Sequence, residues 1–125
     1  MPNSQFIGRI QRRESQFYAL SWGVPTFDAL YTLRAIIASR ALGGSASWNA
    51  GGYANAEFDA LVRRVEAETD AETRRGLIAR AHALHNAELG HVPLYHMMIP
   101  WAVRQGVSVT HRADNQVQVR EIRID

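Results

Sequence analysis

The sequence predicts an α/β fold in one unit spanning residues 1–125, and three observations predict it. Residues 55–88 carry two apolar runs at helical spacing, separated by capping residues, so two helices fold back on one another as a hairpin. Runs at 17–22 and 92–99 are rich in aromatic and aliphatic side chains and are bounded by glycine or proline, the pattern of strands. Between the first strand and the hairpin, residues 43–55 collect glycine, serine and asparagine, a composition that cannot propagate a helix. The expected architecture is a helical hairpin packed on a small mixed sheet.

Taken in order, Asn3 offers a cap for a short helix to about Arg13, with Phe6, Ile7 and Ile10 on one side and Arg9, Arg12 and Arg13 solvated. Phe17-Tyr18-Ala19-Leu20-Ser21-Trp22 reads as a central strand ended by Gly23 and Pro25. From Thr26 or Phe27 to about Ser39 the residues Leu30, Leu33 and Ile37 recur at helical spacing, and Asp28 lies in the first turn, where the helix dipole favours an anion. Residues 43–55 form a loop carrying Trp48 and Tyr53.

Asn55 caps the next helix, whose Phe58, Leu61, Val62 and Val65 share a face while Arg63, Arg64 and Glu66 point away. Thr69 and Glu72 have capping-box spacing, with Asp70 as the competing cap, and the helix they open carries Leu77, Ala81, Leu84 and Glu88 in one stripe beside Ile78. Gly90 stops that helix. Val92-Pro93-Leu94-Tyr95-His96-Met97-Met98-Ile99 is a strand with proline near its start, and Pro100 and Trp101 break or bend it. The tail alternates at Val117 and Val119 and slips by one residue to Ile122 and Ile124, which makes it either a bulged or an edge strand.

Composition narrows the function. Fourteen basic and twelve acidic groups are interspersed for a net charge of +2, so no large field attracts nucleic acid or an anionic membrane. The absence of cysteine removes disulfides, thiolate nucleophiles and thiolate metal sites and leaves the redox compartment open. The first residues lack a basic segment followed by a long apolar stretch, so either the protein is cytosolic or an export signal lies upstream of what is present.

Reactive constellations are sparse. His82 and His85 are three apart on one predicted helix, with His91 and His96 nearby, which makes a small stand-alone metal-dependent enzyme the competing reading. Against it, there is no His-Glu-x-x-His and no carboxylate at matching spacing, and no metal or other cofactor is expected. No Gly-x-Ser-x-Gly elbow occurs, and neither Gly43-Gly44-Ser45 nor Gly51-Gly52 continues into the Lys-Ser/Thr of a phosphate loop, so enzymatic activity is not expected.

Three ordered stretches carry a family likeness. They are Phe17-Tyr18-Ala19-Leu20-Ser21-Trp22-Gly23 with Phe27-Asp28; Asn49-Ala50-Gly51-Gly52-Tyr53-Ala54-Asn55 with Phe58-Asp59-Ala60-Leu61; and a set from Glu68-Thr69-Asp70 and Arg74-Arg75 through Val92-Pro93-Leu94-Tyr95 to Trp101-Ala102-Val103-Arg104 and Arg112-Ala113-Asp114-Asn115. In this order they resemble the C-terminal region of the dipeptide, oligopeptide and nickel class of ABC-importer solute-binding proteins, often called family 5. The resemblance implies the C-terminal part of the second lobe of a periplasmic-binding-protein type II fold, in a longer two-lobed extracytoplasmic protein that delivers peptides or similar small polar solutes to a membrane permease.

The sequence departs from the pattern in two places. Trp22 is followed by Gly23, Val24, Pro25 and Thr26, without the aspartate with which many peptide binders hold a substrate amino group, and Ala56 stands where the family usually has proline. A binding lobe needs aromatic planes and hydrogen-bonding groups on loops at the carboxyl ends of strands, and Trp22, Trp48, Asn49 and Tyr53 answer that description. The alternative for Trp22 and Tyr53 is packing with a satisfied polar tip. A partial lobe is expected to bind solute weakly by itself and to self-associate through unpaired edges.

Overall fold

The computed structural model describes residues 3–42 and 48–124, with the Asn3 and Ser4 side chains left out. The predicted Asn3 cap, and Gly43, Gly44, Ser45 and Ser47 of the predicted loop, therefore lie outside the described residues. Helix α1 (Asn3–Gln11) buries Ile10 and leaves Arg9, Arg12 and Arg13 exposed. It closes where Arg13 turns left-handed, with φ of 59°, and Arg13 N–H donates to Ile10 C=O at 3.0 Å.

Residues 17–22 form no strand. Their main-chain groups find no neighbouring ladder among the described residues, and Phe17 is 87% exposed. Aromatic propensity favours a pleated surface, but a strand exists only where a second chain segment supplies the partner hydrogen bonds.

Helix α2 (Ala29–Thr32) starts from Asp28, whose Oδ1 accepts from the Leu30 N–H at 2.8 Å. It continues as a π turn, Leu33–Ile37, in which Ala38 N–H reaches back to Leu33 C=O at 2.8 Å. Leu33 and Ile37 are buried. The predicted helix from residue 26 or 27 to 39 is thus present at reduced length, and a short 3₁₀ turn, Arg40–Leu42, follows it.

Helices α3 (Ala56–Ala67) and α4 (Ala71–Glu88) form the expected hairpin. Asn55 Oδ1 accepts from the N–H groups of Glu57 and Phe58 at 2.8 and 2.9 Å. At the start of α4 Asp70, not Thr69, is the cap, accepting from Thr73 N–H at 2.8 Å. The buried cluster joins Leu33, Ile37 and Ala38 to Phe58, Leu61, Val62 and Val65 of α3 and to Leu77 and Ala81 of α4. Leu84 and Ile78 lie at its rim. Helix α4 ends on Leu89, which is left-handed at φ 51°, one residue before the predicted stop at Gly90.

Beyond Gly90 the expected strand at 92–99 is also absent. Leu94, Tyr95, Met97 and Met98 are more than half exposed, and no main-chain hydrogen bond engages these residues among those described. The only ladder among the described residues is antiparallel, β1 (Val107–Ser108) with β2 (Arg123–Ile124), pairing Val107 with Ile124 and Ser108 with Arg123. Of the predicted tail strand only Arg123 and Ile124 pair; Val117 lies outside the ladder, Val119 belongs to a 3₁₀ turn, Val119–Glu121, and both strands are edges.

The molecule is therefore a helix-dominated mixed structure with a small antiparallel sheet, compatible with α/β at a coarse level. The predicted mixed sheet beneath the hairpin is corrected: α3 packs on α4 and α2, and no residue of β1 or β2 enters the buried cluster. The hairpin closes its apolar face with other helical turns, since the segments that would form a sheet have no partners among the described residues.

Candidate functional site

The π turn positions the site. The chain leaves the helix at Ala38, so the Ala35 carbonyl has no helical partner and accepts from Trp48 N–H at 3.2 Å, which lays the loop after residue 47 across the end of the helix. Trp48 then meets Trp22 with ring centroids 6.1 Å apart and planes at 57°. Trp22 also stacks on Tyr31 of α2, at 5.4 Å and 23°. Three segments distant in sequence thus contribute one aromatic cluster.

The Trp22 indole Nε1 is fully buried and has no hydrogen-bond partner among the described residues. A buried N–H left without an acceptor costs about 1–3 kcal/mol. Trp101, by contrast, donates its indole N–H to Asn115 Oδ1 at 2.7 Å and packs on His111 at 4.8 Å. It forms one wall of an open apolar groove of about 520 Å³, with Met98, Ile99, Val103 and Val109.

Asn49 lies directly after Trp48 but is fully buried. Its Nδ2 donates to the carbonyls of Ile37, Ala38 and Tyr53 at 3.3, 2.9 and 2.7 Å, and its Oδ1 accepts from Gly52 and Tyr53 N–H at 2.9 and 3.1 Å. Two donors and two lone pairs are all that an amide owns, so none remains for a solute. Asn49 holds the loop in place beneath the tryptophans. Arg40 Nε adds a bond to the Asn49 carbonyl at 2.9 Å.

Tyr53 belongs to a second cluster. Its ring meets Phe58 and His85 edge-on at 5.9 and 5.4 Å and lies so close to Gly90 that a Cβ there would sit 2.5 Å from the ring. Its hydroxyl donates to Glu88 at 2.6 Å, and burial followed by that carboxylate pushes the phenol pKa well above its usual range. Glu88 also accepts from Asn55 Nδ2 at 2.7 Å. The structure thus brings Trp22 and Trp48 together, with Asn49 behind them, and gives Tyr53 different ring neighbours.

Two polar ties brace the helices around the aromatic cluster. Arg74 Nη2 reaches both oxygens of Asp28 at 3.0 and 2.9 Å, while its Nε donates to Val65 C=O at 3.2 Å. The Arg74 hydrogen bond, then the Leu30 amide, holds the Asp28 carboxyl below its ordinary range. Buried Asp59 of α3 accepts from the N–H of Ser39 at 2.9 Å and from its hydroxyl, anchoring the end of the π turn.

The histidines divide. His85 Nε2 and His91 Nδ1 lie 3.1 Å apart, with His85 buried, whereas His82 and His96 are exposed. Among the described residues no group of three or more potential ligands is placed to hold a metal ion, and no helix is long and apolar enough to cross a membrane.

Sequence reasoning did not single out Tyr31, because an aromatic at a half-exposed helical position carries no periodic signal. Nor did it find the His85–His91 pairing, which the turn at Leu89 and Gly90 creates. Comparison with protein-family models, with curated proteins and with solved structures finds no match to this chain.

Proposed function

We propose that this chain supplies part of one lobe of a solute-binding protein of the dipeptide, oligopeptide and nickel class, and that its activity is binding. The observation that carries the reading is the Trp22–Tyr31–Trp48 cluster, whose π faces suit planar peptide groups. In the intact protein, a type II binding fold, two lobes would close on the solute outside the cytoplasm and present it to a membrane permease.

The C-terminal residues supply a second support. Leu94, Tyr95, Met97, Met98 and Val103 are exposed, and the main chain around them is unpaired among the described residues. A surface of that kind fits a segment that completes a sheet and core lying elsewhere. The competing metal-enzyme reading needs a third ligand beside His85 and His91.

Tryptophan fluorescence tests the proposal. In a Trp101→Phe background, short peptides are expected to quench Trp22 and Trp48 saturably, with Kd on the order of 1 mM, and Trp22→Leu is expected to abolish the response. No response to any di- to pentapeptide at about 10 mM would remove solute binding from this chain. Binding tighter than about 1 μM would show a complete site and overturn the partial-lobe reading.

A further inference from the structure

Residues 91–124 form an arm that is joined to the helical part by very little. No arm residue enters the buried cluster. Among the described residues, a single hydrogen bond, His85 Nε2 to His91 Nδ1 at 3.1 Å, joins the arm to residues 3–89, and no ion pair does. The arm's other hydrogen bonds are internal, among them Trp101 to Asn115, Arg112 to Asp114 and the β1–β2 ladder.

We propose that the His85–His91 pair is a proton-operated latch that fastens the C-terminal arm to the end of α4 and releases it in acid. The chemistry follows from the contact. Two imidazoles sharing one N···N hydrogen bond need one ring nitrogen to donate and the other to accept. A first proton leaves that bond possible, since an imidazolium can donate to a neutral ring. A second proton turns both facing nitrogens into N–H donors and places two positive charges in contact, so the bond cannot survive.

The surroundings resist that second proton only until the arm leaves. His85 lies against the rings of Tyr53 and Phe58, and burial is the leading cause that lowers the pKa of both histidines. The titratable groups that face the pair are His82 and Glu88 on α4 and Tyr53 on the loop, with Asp59 of α3 beyond Tyr53. His91 and His82 depress the His85 pKa and Glu88 opposes them, while Glu88 is itself engaged by Tyr53 and Asn55.

The sign follows by linkage. A base with lowered pKa in the closed state gives full closure above its free value of 6.5, and closure weakens as pH falls below that value. Because the second proton decides, the transition is expected below the free histidine value of 6.5.

The sequence contains no cysteine, so Ala79→Cys on α4 and Ser108→Cys on the arm, both exposed, place two spin labels cleanly. Electron–electron distance measurement is expected to give one narrow distribution at about pH 8 that broadens towards longer distances by about pH 4.5. In His91→Gln, which does not titrate, the distribution is expected to be the same at both pH values. A wild-type distribution unchanged across that range, or a broadening that persists in His91→Gln, overturns the latch. Far-UV circular dichroism at each pH separates arm release from general unfolding, and loss of α4 helicity in step with the distance change also overturns it.

Discussion

Asn49 satisfies, with one side chain, the carbonyls that end the π turn and the amides that turn the following loop. Truncation therefore strands several buried polar groups at once, and each such group costs about 1–3 kcal/mol. Asn49→Ala is expected to lower stability by about 2–4 kcal/mol in urea unfolding at pH 7, with a changed Trp22–Trp48 fluorescence spectrum in the native state. Unaltered unfolding would show that the loop holds itself without the amide. The same logic explains Asp28, which serves as helix cap and as partner of Arg74 through one carboxylate.

Among the elements, α4, like α1, closes on a left-handed residue that is not glycine. Leu89 takes the left-handed conformation at φ 51° with its side chain 70% exposed, so its Cβ crowds the backbone and little packing compensates. Leu89→Gly is expected to raise stability by about 1 kcal/mol, and Gly90→Ala, which drives a methyl into the Tyr53 ring, to lower it by about 1–3 kcal/mol. Thermal melts read both. Equal effects of the same sign would mean that the turn is set by neither the left-handed residue nor the ring contact. The α3–α4 hairpin itself rests on Phe58, Val62 and Val65, all fully buried, and owes its entrance to Asn55 and Asp70.

At the scale of the whole molecule the asymmetry between the two parts is the governing fact. Among the described residues, 28–85 contain nearly all of the buried side chains, while the arm exposes Val92, Leu94, Tyr95, Met98, Val119 and Ile124. Apolar surface and unpaired main chain together favour association. The isolated chain is expected to form dimers or larger species that light scattering detects as concentration rises, and trimming residues 92–125 is expected to reduce them. A monodisperse monomer with one cooperative melt would show that the arm is stable in water by itself.

The helices after residue 54 were legible because their information is local. A cap, an apolar stripe of period 3.6 and a stop lie within one stretch of chain, and Asn55, Phe58, Leu61, Val62, Val65, Leu77 and Ala81 take the places that spacing assigns them. The runs at 17–22 and 92–99 carried strand composition, yet composition provides only half of a strand, and the partner ladder is not among the described residues. The candidate site divides in the same way. Trp22 at a predicted strand end and Trp48 on a predicted loop are legible as candidate binding aromatics, but only the tertiary structure seats Trp22 between Tyr31 and Trp48, commits Asn49 to the main chain, packs Tyr53 on Gly90 and brings His85 to His91. Those outcomes depend on contacts between segments far apart in the chain or across an unforeseen turn, whose geometry no local pattern encodes.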